Sequence, residues 1–94
     1  MIVIVSLDLL GPAAGYDALY QAIKDQGTWW HEMRWTWILD TTKTPNQIVE
    51  VLRPHVQPGD KMLVAPLGPP YQGLLTPDAW KWIIDRKPNI AVTP

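Results

Sequence analysis

Gly27-Thr28-Trp29-Trp30-His31-Glu32-Met33-Arg34-Trp35-Thr36-Trp37-Ile38-Leu39-Asp40 holds four of the chain's six tryptophans within nine residues. Two short runs, Trp29-Trp30-His31 and Trp35-Thr36-Trp37-Ile38-Leu39, are aromatic and β-branched, as strands are. The polar stretch Glu32 to Arg34 suits a turn between them, so the segment reads as a β-hairpin. Side chains alternate across a strand, so adjacent Trp29 and Trp30 must face opposite ways. Trp29 and Trp37 are expected in the core or an interface. Trp30 and Trp35 are expected to serve a ligand, beside His31 and Arg34.

Upstream, residues 2–8 are apolar and β-branched, which suits a buried strand. A Gly- and Pro-bearing loop, Leu9 to Gly15, follows. Tyr16, Leu19, Tyr20 and Ile23 then recur at helical spacing, and Gly27 ends that helix. Downstream, Thr44, Pro45 and Gln47 combine an N-cap, a proline at the first helical position and a capping box. Ile48, Val51 and Leu52 form the apolar face of this second helix, which should end near Arg53, before Pro54. Gln57 to Asp60 reads as a turn and Lys61 to Ala65 as a fourth strand. Gly68-Pro69-Pro70-Tyr71-Gln72-Gly73 is an irregular loop that could serve as a lid or recognition segment. Thr76-Pro77-Asp78 opens a third helix within residues 76–87, with Ala79, Trp80, Ile83 and Ile84 on its apolar face. Ile90-Ala91-Val92 reads as a short last strand or a frayed tail.

A chain of 94 residues implies one small domain. No apolar window approaches the 18 or so residues that a spanning helix needs. Met1 to Leu7 lacks the basic flank and cleavage site of a signal peptide. There is no cysteine, so neither a disulfide framework nor a thiolate metal site is available, and a cytoplasmic setting is expected. His31 and His55 lack helical ligand partners, which argues against zinc. A net charge of -1 argues against a broad nucleic-acid-binding surface but not against one small anionic ligand.

The order β-α-β-β-α-β plus a helix predicts a ferredoxin-like α+β domain, with a core over residues 1–67 and a helical extension. Strands one and three should lie side by side, antiparallel, with the first two helices on one face. The other face is expected to stay open and to form a homodimer. Val3, Val5 and Leu7 are the expected core set of strand one, with Ser6 and Asp8 on the open face or its rim. Asp8, His31, Glu32 and Arg34 should share one end of the sheet, beside Trp35, and Asp40 the other.

With its first strand ending in Asp8, an amphipathic helix, the aromatic hairpin and a capped second helix, the chain resembles the small CRISPR-associated adaptation subunit. That family is related to virulence-associated protein D. The likeness extends to short bacterial and phage proteins labelled SinR-like, through Gly27-Thr28-Trp29-Trp30-His31 and Thr36-Trp37-Ile38. It spans roughly residues 1–67 and implies a dimeric ferredoxin-like fold. It also implies that Asp8 holds a divalent metal, Mg²⁺ or Mn²⁺, across the dimer axis. Leu9 to Gly15 carries no basic residue, so nothing there would grip a phosphate backbone by charge.

Three functions follow from these readings. The leading one is a dimeric binding protein for a nucleotide or a small nucleic-acid-derived ligand. Trp30, Trp35, Arg34, His31, Ser6 and Tyr71 would form its site, with Lys61 as the alternative to Arg34 for pairing with a phosphate. The likeness to phage proteins suggests sequestration of a host nucleotide signal. The second is a metal-dependent nuclease or phosphodiesterase using Asp8, with His31 or Glu32 as base. The third is a structural dimer with no small-molecule chemistry.

Overall fold

A computed structural model describes residues 1–86. Four strands and three α-helices succeed one another as β1 (Ile2–Asp8), α1 (Asp17–Lys24), β2 (Thr28–Met33), β3 (Thr36–Asp40), α2 (Pro45–Leu52), β4 (Lys61–Pro66) and α3 (Pro77–Ile84). Single 3-10 turns, Ala13–Tyr16 and Arg53–His55, precede α1 and follow α2. The strands form one antiparallel sheet in the order β2-β3-β1-β4. The fold is therefore α+β, with β1 and β3 paired at its centre. The suggested strand at Ile90 to Val92 lies outside the described residues.

Local sequence explains most element ends. The Thr44 hydroxyl accepts from the Gln47 N–H at 3.2 Å, and Gln47 Oε1 accepts from the Thr44 N–H at 2.9 Å, closing the expected capping box. Thr76 caps α3 in the same way, accepting from the Ala79 N–H at 3.2 Å. Gly27 ends the first helical segment for a reason beyond backbone freedom. A Cβ there would run into the Asp40 carbonyl, where β2 begins to pair with β3. The hairpin turn is tighter than expected: β2 continues to Met33, and only Arg34 and Trp35 separate the strands. A register shift between Trp30 and Met33 absorbs the extra length.

Two apolar clusters lie on opposite faces of the sheet. On the first face, Val3, Val5 and Leu7 pack with Trp37, Leu39 and side chains of α1 and α2, including Leu19, Ile23, Ile48 and Leu52. On the second face, Ile2, Trp30 and Ile38 pack against Ala79 and Ile83 of α3. The second face is thus not open as expected. The apolar stripe of α3 needs a surface to bury against, and the alternate positions of β1, β2 and β3 supply it. Among the described residues the β1–β4 half stays uncovered, with Leu63 64% exposed.

This second layer also decides which of the paired tryptophans is covered, and it is not the one expected in the core. Trp30 is buried under α3 at 6% exposure, whereas Trp29 is 43% exposed on the helix-α1 side. Two smaller expectations fail as well. Val51 and Ile84 sit at the edges of their helical stripes and are 39% and 65% exposed.

The turn before β4 is tied to the loop after β1 through one carboxylate. Asp60 accepts from the Leu10 N–H at 2.8 Å, the Gln57 N–H at 2.8 Å and the Tyr16 hydroxyl at 2.9 Å. Gly59 makes the turn possible with φ of +88°, a conformation that side-chain-bearing residues rarely adopt. Desolvation pushes the Asp60 carboxyl up, but the three donors together outweigh it and hold the group below its ordinary value of 3.8. A depressed carboxyl stabilises the fold fully above its unfolded value and loses that contribution as pH falls through the folded value. Asp60→Asn is therefore expected to lower the urea midpoint at pH 7 and to flatten its fall below about pH 4. Urea titrations at pH 7, 5 and 3 check this; parallel acid limbs in the two proteins would count against it.

Candidate functional site

The residues proposed for ligand binding divide among three places. His31, Arg34 and Trp35 line one depression of about 460 Å³, together with Ala13 and Tyr20. Trp30 and Tyr71 line a cleft on the opposite face. Ser6 lies with Asp8 and Lys61 in a recess of about 180 Å³ near the end of β1. The alternation of β2 separates the first two sets, because Trp30 and His31 are consecutive and point to opposite faces.

The depression at the hairpin tip gathers the chemistry. His31 stacks on Trp37 with ring centroids 3.7 Å apart and planes 13° from parallel. Its Nε2 lies 3.0 Å from the Arg34 carbonyl. A carbonyl only accepts, so Nε2 is the donor of this bond. Tyr20 and Trp29 pack on other sides of Trp37, at centroid distances of 6.2 and 5.5 Å. Lys24 Nζ sits 4.9 Å from the Trp29 ring centre, a cation–π distance. The Arg34 guanidinium is exposed and has no hydrogen-bond or ion-pair partner among the described residues.

Two polar atoms of this aromatic group, Tyr20 Oη and Trp37 Nε1, are buried without a hydrogen-bond partner among the described residues. Burial raises the Tyr20 hydroxyl above its ordinary value, with smaller contributions from the nearby Asp17 carboxylate and Tyr16, so it stays a neutral donor. Sequence reasoning missed Tyr20 as a site residue. It belongs to the apolar spacing of α1, and only the packing of that helix brings it to the hairpin.

Asp8 and His31 share an end of the sheet as expected, but not a face. The register pairs Asp8 with Lys61 across β1 and β4, and alternation places it with Ser6 and Ile4 on the second face. Among the described residues no cluster of three His, Cys, Asp or Glu side chains could hold a metal ion. Glu32, named as a second base, is committed elsewhere: it accepts from the Trp30 indole at 2.9 Å and from the Thr76 hydroxyl at 3.2 Å.

No helix among the described residues is long and apolar enough to cross a membrane. No family model, curated protein or solved structure matches the chain.

Proposed function

We propose that the chain is a ferredoxin-like domain that binds a nucleotide or a related planar anion at the hairpin tip. The element order and the central β1–β3 pair support the fold reading. The observation that carries the functional reading is the meeting of His31, Arg34, Trp35 and Tyr20 around one depression. Stacking faces and an unpaired guanidinium beside one another suit a base with an attached phosphate. The uncovered β1–β4 half, with exposed Leu63, is the surface on which a homodimer would form.

The test is a titration with AMP, followed through the tryptophan indole N–H signals in ¹H–¹⁵N NMR spectra. Saturable movement of the Trp35 signal is expected, weakening with added salt. A stacked base contributes about 1–3 kcal/mol, so Trp35→Ala should weaken binding at least about fivefold. Hydrogen bonds to a charged group contribute about 1.5–3 kcal/mol, so Arg34→Ala should cost roughly tenfold to a hundredfold. A Trp35 signal that stays still at millimolar AMP removes this reading.

A further inference from the structure

A second cavity lies on the far side of the sheet and has different chemistry. Its floor is Ile4, Trp30 and Ile38, aligned across β1, β3 and β2 by the strand register. Trp80 and Ile83 of α3 form one wall, and the loop through Tyr71 forms another. The cleft opens to solvent on one side and holds about 370 Å³. Small-molecule pockets begin near 300 Å³, so the volume suits a small guest.

The lining selects what that guest can be. Among the described residues it contains no charged side chain, so an ion entering it would lose its hydration with no counter-charge in return. Trp30 and Trp80 supply flat apolar surface. At the rim, Leu74 is 100% exposed and Met33 47% exposed, which extends the apolar surface to the mouth of the cleft. Three polar side chains, Thr36, Tyr71 and Gln72, stand in the lining. The Tyr71 hydroxyl is buried with no hydrogen-bond partner among the described residues, and burial raises it above its ordinary value. A guest carrying one hydrogen-bonding group would recover the bond this hydroxyl lacks.

The spacing of the cleft is set in advance. Glu32 accepts from the Trp30 indole with one oxygen and from Thr76 with the other, and Thr76 in turn caps α3. One carboxylate thus ties the floor to the start of the helix above it, so little ordering remains to be done on binding.

We infer that the cleft between the sheet and α3 binds an uncharged planar aromatic molecule bearing a single hydroxyl or carbonyl, with Tyr71 as its polar contact. This site is independent of the hairpin-tip depression and stands or falls apart from it.

The test uses the whole chain with 1-naphthol, naphthalene and naphthalene-1-sulfonate as probes, read at the Trp30 and Trp80 indole N–H signals. Saturable one-to-one binding of 1-naphthol is expected, with the sulfonate at least tenfold weaker. Tyr71→Phe should weaken 1-naphthol severalfold to tenfold and leave naphthalene unchanged. Gly73→Leu should abolish both. Gly73 has no positive φ, and a Cβ there makes ordinary contact with the Trp80 ring at 3.8 Å, so the backbone accepts a side chain; a thermal melt checks that the variant keeps its fold. Three results overturn the inference. One is equal binding of the sulfonate. Another is equal loss of naphthalene and naphthol in Tyr71→Phe. The third is movement of Trp30 and Trp80 with protein concentration alone, which would show a second copy filling the cleft.

Discussion

Trp37→Ala is expected to remove about 3–5 kcal/mol of folding stability, the usual cost of truncating a large buried aromatic. A small domain has only about 5–15 kcal/mol in total, so the variant should sit at the margin of folding, with its melting temperature down by more than about 10 °C. The size of the effect follows from position. Trp37 is 2% exposed, lies on central strand β3 opposite Val5, and carries Tyr20, Trp29 and His31 on its ring. No neighbour can collapse into the space, because each is fixed by its own strand or helix. Trp37→Phe keeps most of the volume and also removes a buried indole N–H that has no partner among the described residues, so it should cost far less. Urea unfolding of the two variants decides the matter; a loss under about 1 kcal/mol in Trp37→Ala would contradict this account of the core.

Trp30→Ala should do comparable damage to packing but fail in a different place. Trp30 is one of the few sheet residues on which α3 rests, with Ile2 and Ile38. An eight-residue helix has no stability of its own in water. Removing the ring, and with it the bond to Glu32, should release α3 while the first-face cluster survives. Hydrogen exchange distinguishes this from global destabilisation. Amides of residues 80–85 should approach unprotected rates while those of Val3, Val5 and Leu39 remain slow. Uniform loss of protection across both groups would show that the sheet and α3 unfold as one unit.

Much of this architecture is legible in the residues, and the failures have identifiable causes. Capping at Thr44 and Thr76, the hairpin and the β1 core set are local patterns, and the structure contains them. The roles of Trp29 and Trp30 were not legible, because alternation says that the two differ and not which one is covered. That depended on α3 returning to the sheet, a contact between residues about 50 apart in the chain. The site divides in the same way. His31, Arg34 and Trp35 are neighbours in one hairpin and were found together. Tyr20, Trp80 and the cleft came only from packing between distant segments.

The Asp60 carboxylate shows how a chain without cysteine can be cross-linked. It holds Leu10 and Tyr16 to a turn some 50 and 44 residues away, so it closes the same kind of loop as a disulfide. A disulfide is undone by reductant and survives acid; this staple is indifferent to redox poise and is undone by protons. Its three bonds also form and break without a chemical partner. The β1–α1 loop, which borders the hairpin-tip depression through Ala13, is therefore held reversibly and in any redox environment.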